Sequence, residues 1–399
     1  MTSRGRSVLA LGFVVYLAAW AFGSKPLYPV ATGLLLAVGL AWGWVHLANG
    51  PFRVHRDLGE REHVEGDDVQ IGVAVEPTGL LPPPVAALVE RVGNLGEERH
   101  FLRRRGRRLA ITYVLPRVRR GRYVFAESRV QLSDPFGLWR VDSALPVPGA
   151  LLVYPRLVRL DRLFTESGAH ALEGKHLLVR RPAGFDLHSV REYEQGESLR
   201  HVHWRSTARR GQLMVKELED APRDEIAVVL DAYANGVAGE SFDAQVRAAG
   251  SILQAYFHRG RRAVLVVNGE RRESRQVHSP AAESRRALEL LAAVEADGRT
   301  PVNAVLADEA SPAARALEVV VVTARVDHAL VDRLVQRALA RRKTSLVYVD
   351  APTFLGAPAK PQPALMRLAT AGVPVAVVRA GDDLAAALQR EPVAEAAHA

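Results

Sequence analysis

The residues best equipped for chemistry crowd into one stretch, from Gly184 to Arg209. Asp186, Glu192, Glu194 and Glu197 alternate there with Arg191, Arg200, Arg205 and Arg209, and Tyr193, Gly196, His201, His203 and Trp204 lie among them. Forked guanidinium groups pair bidentately with carboxylates, so this density predicts a network that docks the segment onto its neighbours. The same acids, bases and cations could serve a hydrolase, the alternative reading, although no nucleophile accompanies them. His201 and His203 are spaced to share one side of a strand, but no third metal ligand has supporting spacing, so packing or hydrogen-bonded histidines are expected.

A second candidate begins at Asp231, which ends the apolar run Ile226 to Leu230 and opens Asp231-Ala232-Tyr233-Ala234-Asn235. In an open parallel sheet, ligands gather outside the carboxyl ends of the strands. Thr323, ending another apolar run, and Asp327 could reach the same edge. Asp231, Asn235, Thr323 and Asp327 are thus a degenerate candidate set for magnesium, to be completed by a partner's carboxylate. The simpler alternative makes Asp231 a cap of the following loop or helix. A phenol at Tyr233 cannot replace a compact oxygen ligand in octahedral geometry, so the expectation is no cofactor and at most weak magnesium binding.

Other chemistries fall away on inspection. Gly168 to His176 reads G-x5-G-K-H, one residue too long for a phosphate-binding loop, and no GxGxxG, HExxH or GxSxG motif occurs. The absence of cysteine excludes disulfides, thiolate metal sites and a cysteine nucleophile. The net charge of +9 is spread thinly along the chain, whereas nucleic-acid binders concentrate basic charge on one face or tail.

The elements that must position these residues begin with two apolar stretches, Ser7 to Gly23 and Leu27 to Ala48, both free of Asp, Glu, Lys and Arg. They read as a transmembrane helical hairpin within residues 1–51. Arg4 and Arg6 before it, and Arg53, His55 and Arg56 after it, outweigh Lys25 in its turn, which places both ends, and the rest of the chain, in the cytoplasm. The rival reading is a cleaved signal peptide ending near Ala19-Trp20-Ala21, which would leave the second stretch as an anchor. The expected address is the cell membrane, multi-pass, with the lipid bilayer as a partner.

At 399 residues, the remainder is long enough for more than one domain. Residues 52–155 alternate apolar and polar side chains, as at Val69, Ile71, Val73 and Val75, and predict a β-sandwich-like domain. Gly79 to Pro84 reads as a proline-rich turn within it, and Arg99 to Arg108 as a hairpin-like, arginine-rich loop, solvated or touching anionic lipid. Residues 156–224 form a linking segment, residues 225–391 an open α/β sheet, and residues 392–399 a tail. The sheet's predicted strands are 226–230, 263–267, 302–306, 319–322, 346–349 and 375–378. Predicted helices at 242–259, 281–296, 328–341 and 364–371 imply parallel strands with right-handed crossovers.

Arg191-Glu192-Tyr193, Gly196, Arg200, His203-Trp204 and Ala208-Arg209 with Leu213 resemble the signature of the domain-of-unknown-function-58 family of bacterial proteins. Arg119-Arg120-Gly121, Asp134-Pro135-Phe136-Gly137-Leu138 and Val153-Tyr154-Pro155-Arg156 agree with it. The resemblance implies a von Willebrand factor A-like fold for the C-terminal domain and association with MoxR-type AAA+ ATPases; it does not itself supply a biochemical activity. Two departures stand out: Glu197-Ser198 where paired aspartates are usual, and Asp231-Ala232-Tyr233-Ala234-Asn235 in place of the adhesion motif Asp-x-Ser-x-Ser. Together these readings describe a membrane-anchored interaction scaffold or adaptor, active in envelope-related assembly or maturation, that works with an ATPase it does not itself contain.

Overall fold

The computed structural model describes residues 1–59, 61–78, 81, 85–106, 108–145, 149–165, 187–192, 202–218, 226–277 and 282–390. The chain divides into two compact units, Met1–Tyr154 and Pro155–Ala399. Most of the predicted turn at 79–84 and the tail at 392–399 lie outside the described residues.

The first unit opens with α1, Ser3–Ala21, and α2, Leu27–Ala48. The first helix starts earlier than its apolar run because Thr2 caps it, its hydroxyl accepting the Gly5 N–H, so Arg4 and Arg6 lie inside the helix. The two helices pack side by side: Gly12 lies against Leu34 and Leu35, and the Tyr16 and Tyr28 rings meet edge to face at 5.5 Å. Among the described residues, α2 is the one helix long and apolar enough to cross a membrane, a property spanning helices share with signal sequences. Leu36, Leu40 and Leu47 on it are exposed.

Ten strands follow: β1 Phe52–Asp57, β2 His63–Val64, β3 Val69–Pro77, β4 Val85–Val92, β5 Glu97–Phe101, β6 Arg103–Arg105, β7 Arg108–Leu115, β8 Gly121–Ser133, β9 Arg140–Ala144 and β10 Ala150–Tyr154. One sheet has the order β1-β3-β7-β6, and the other β2-β10-β8-β4-β5 with β9 on β8. The alternating residues Val69, Ile71, Val73 and Val75 all face one core, which they share with Leu88, Phe125, Val130, Leu132 and Val153 from the second sheet. The hairpin expected at 99–108 is present, but the segment is mostly strand and not loop. Its residues 99–101 and 103–105 belong to β5 and β6, and the chain turns at Gly106 into β7, so exposed Arg103, Arg104 and Arg105 lie on an edge strand. Charged side chains of this kind protect a sheet edge from pairing with other chains.

Within this core, Arg56 and Glu90 form a buried ion pair. Ser128 Oγ donates to Glu90 Oε1 at 2.9 Å and the Tyr113 hydroxyl to Glu90 Oε2 at 2.5 Å, while Arg56 also lies over the Phe125 ring at 4.3 Å. Burial first, and then its bond to Glu90, raise the Tyr113 phenol well above its ordinary pKa.

The second unit holds β11 Leu187–Glu192, paired antiparallel with β12 Met214–Leu218, and the short helix α3, Trp204–Arg210, between them. Its main sheet contains β13 Ile226–Asp231, β14 Ala263–Asn268, β15 Arg272–Val277, β16 Glu318–Thr323, β17 Lys343–Val349 and β18 Val375–Val378. The order is β15-β14-β13-β16-β17-β18, parallel throughout except for β15. Five predicted strands are present. The sixth, 302–306, is instead the helix Asn303–Ala307. Its apolar residues Val302, Val305 and Leu306 follow helical spacing and are buried, and a five-residue window fits either period. The actual sixth strand, β15, is polar and lies at the sheet edge, where apolar patterning is not needed.

The helices are α4 Ser241–His258, α5 Ala282–Ala293, α6 Asn303–Ala307, α7 Pro312–Arg315, α8 His328–Leu339, α9 Pro363–Thr370 and α10 Leu384–Gln389. Residues of α4, α5 and α10 share one apolar core with the sheet, and residues of α6, α7, α8 and α9 another, so both faces of the sheet are covered. Leu160, Leu163 and Phe164 from the linking segment pack into the first of these cores.

Candidate functional site

In this strand order, the connection leaving β13 leads to α4 on one face, and the connection leaving β16 leads to α8 on the other. The two chains part at the carboxyl ends of adjacent strands. This is the topological switch point, where open α/β sheets leave a crevice. Asp231 ends β13 and Thr323 ends β16, and both are buried there.

The Asp231 carboxylate is satisfied by the protein itself. Oδ2 accepts from Thr323 Oγ1 at 2.7 Å, and Oδ1 accepts from Asn268 Nδ2 at 2.9 Å and the Tyr233 N–H at 3.3 Å. Asn268 ends β14 and also donates to the Thr300 carbonyl at 2.8 Å, while the Arg325 N–H donates to Thr323 Oγ1 at 3.0 Å. Burial is the largest influence on Asp231 and raises its pKa; the three hydrogen bonds oppose it, and the nearby charge of Asp327 adds to it. The loop after Asp231 is pinned from behind, Gly298 N–H donating to the Ala232 carbonyl and Ala234 N–H to the Gly298 carbonyl.

A cleft opens over this centre, lined by Asp231, Tyr233, Asn303, Arg325, Asp327 and Leu330, among others. The Arg325 guanidinium lies over the Tyr233 ring at 5.4 Å, and Asn235 Nδ2 donates to the Tyr233 hydroxyl at 3.3 Å. Asp327 caps α8, its Oδ1 accepting the Leu330 N–H at 2.9 Å. Of the four candidate ligands, Asp231 and Thr323 are therefore in direct contact, whereas Asn235 and Asp327 bond elsewhere. The donor set suits a hard cation poorly: both oxygens of Asp231 face N–H or O–H donors, and no group of three or more Asp, Glu or His side chains is placed to hold a metal among the described residues.

Sequence reasoning missed Asn268 and Arg325. Asn268 had a signal, because it ends the second apolar strand as Asp231 ends the first.

The signature stretch is described only in part. Arg191 and Glu192 lie on β11, opposite Val215 and Met214 on β12. His203 precedes α3 as its cap: Nδ1 accepts the Ser206 N–H and lies 2.7 Å from Ser206 Oγ, and the His203 N–H donates to the Met214 carbonyl at 2.7 Å. Trp204 is 67% exposed, and Arg209 is exposed. Tyr193, Gly196, Glu197 and Arg200, with Asp186, Glu194 and His201, lie outside the described residues.

Over 334 residues the chain is 25% identical to an uncharacterized protein, YeaD, of Bacillus subtilis (strain 168), covering 79% of this chain and 78% of that one. Among solved structures, a conjugative transposon lipoprotein from Bacteroides eggerthii DSM 20697 is 14% identical with a TM-score of 0.16, covering 25% of this chain and 100% of its own. Cwp6 from Clostridium difficile is 10% identical with a TM-score of 0.16, covering 81% of this chain and 49% of its own. Neither likeness carries an argument about the fold. Residues 189–353, a span that holds Asp231, Asn268 and Thr323, match the family described as protein of unknown function DUF58.

Proposed function

We propose that this protein is a membrane-anchored interaction scaffold that receives a protein partner at the carboxyl edge of its α/β sheet. The observation that carries the reading is the cleft at the switch point, where exposed Arg325 and partly exposed Tyr233, Asn303 and Asp327 surround a hydrogen-bonded acid. A centre whose carboxylate is already hydrogen-bonded by Thr323, Asn268 and the Tyr233 N–H is a rigid support for loops that recognise a surface. The strand order, with its one antiparallel edge, supports a von Willebrand factor A-like reading of this unit. By the family resemblance, the partner is a MoxR-type AAA+ ATPase, and the process envelope-related assembly or maturation. Magnesium binding, if present, is weak. The α1 and α2 helices are read as a two-crossing anchor, with Arg4 and Arg6 in the first turn of α1 and Arg53 and Arg56 after α2 holding both ends in the cytoplasm.

Capture of the full chain from membranes, followed by mass spectrometry, tests this. The ATPase is expected with the unaltered chain and is expected to be lost with Arg325→Glu, which reverses the charge on the cleft rim. Equal recovery of the ATPase with both chains would refute the cleft as the docking site.

A further inference from the structure

We infer that the turn Asp134–Gly137 is a membrane-interface anchor, with Phe136 entering the boundary between lipid headgroups and acyl chains; the inference rests on the reading of α2 as a membrane span. Phe136 is 75% exposed, yet its backbone is tightly built. The Gly137 N–H donates to the Asp134 carbonyl at 3.0 Å, closing a turn with Pro135 second and Gly137, at φ +69°, fourth. The Asp134 carboxylate is buried and accepts the Phe136 N–H at 2.9 Å and the Trp139 N–H at 2.6 Å. A buried acid, a proline and a glycine thus combine to hold a large apolar ring in the open.

The place where it is held points to lipid. The Thr2 N–H donates to the Leu138 carbonyl at 3.1 Å, and the Thr2 hydroxyl to the Gly137 carbonyl at 2.6 Å, so the turn sits on the start of α1. A Cβ on Gly5 would collide with the Leu138 carbonyl, which shows how close that approach is. Leu138 packs with Val38 and Ala41 of α2, and Trp139 lies 6.0 Å from His46. Phe136 is therefore continuous with the end of α2 that bears exposed Trp42 and Trp44, the aromatic belt expected where a span leaves the hydrocarbon. Arg4, exposed beside Gly137, is placed to meet lipid phosphate.

The chain has no cysteine, so Phe136→Cys and, separately, Leu36→Cys each create one thiol for an environment-sensitive fluorophore in the full chain. In vesicles of phosphatidylcholine and phosphatidylglycerol, the label at 136 should be quenched about threefold more by shallow nitroxide lipid than by aqueous iodide. In the double variant Asp134→Ala with Phe136→Cys, that preference should fall, because the turn no longer fixes the label. Three outcomes would overturn the inference. A label at 136 open to iodide while the label at 36 is lipid-quenched would sink it and leave the membrane span intact. Both labels open to iodide would sink the span as well. Quenching unchanged by Asp134→Ala would mean that the fluorophore, and not the turn, drives insertion.

Discussion

Asp231 is held in a setting that favours its neutral form, because burial outweighs three hydrogen bonds. Its folded pKa lies above the unfolded value, so its contribution to stability is fully present below the usual carboxylate pKa and is lost as pH rises through the folded value. Asp231→Asn can preserve the bonding pattern, with Nδ2 donating to Thr323 Oγ1 while that hydroxyl turns to the Arg325 carbonyl, 3.1 Å away. Thermal melts should therefore show Asp231→Asn more stable than the native chain at about pH 8, with the gap closing toward about pH 4. A gap that widens in acid would contradict this account. Asn268 bridges the Asp231 carboxylate to the Thr300 carbonyl, and Asn268→Ala strands both; a loss of about 1–3 kcal/mol in denaturant titration is expected. Magnesium titrated calorimetrically into the full chain should give no tight binding, and tight binding abolished by Asp231→Ala would reverse that view.

Among the elements, the sheets of the first unit are tied by charge as well as by apolar packing. Arg56 comes from β1 and Glu90 from β4, so the pair links strands of the two sheets across the core. Glu90→Ala leaves the Arg56 guanidinium buried without its counter-ion and should cost about 3–5 kcal/mol. Glu90→Gln combined with Arg56→Met should recover part of that loss, because desolvation offsets much of a buried pair's attraction. If the double variant proves no more stable than Glu90→Ala, the pair is not the cause of the loss. In the second unit, Asp327 is the side-chain cap of α8; Asp327→Ala should lower stability by about 1 kcal/mol, which equilibrium unfolding can resolve.

On the proposed reading of α1 and α2 as a membrane anchor, the decisive question for the whole molecule is which side of the membrane holds the two units. Arg4 and Arg6 lie in the first turn of one apolar helix and Arg53 and Arg56 follow the other, while the turn between the helices carries Lys25. A reporter fused after Ala399 that is active only outside the membrane should therefore be silent, and a cytoplasmic reporter at the same point active. The reverse result would place the cleft, and any partner at it, on the opposite side.

What the sequence determined by itself was local. The short all-apolar runs 226–230, 263–267 and 319–322 pointed to strands buried on both faces by their valine-rich, β-branched composition, and 27–48 to a long apolar helix by its length. Segments of mixed or polar composition were not decided this way. Residues 302–306 fit two periods until packing selected the helix, and the arginines of β6 became an edge strand only by pairing with β7. The site was partly legible, since an acid ending an apolar strand marks a sheet's carboxyl edge. That Thr323 and Asn268, at 92 and 37 positions' separation, would both bond to Asp231 was a matter of strand order and register alone. Side chains far apart in the chain meet only where the crossovers bring their strands together, and no local preference encodes that choice.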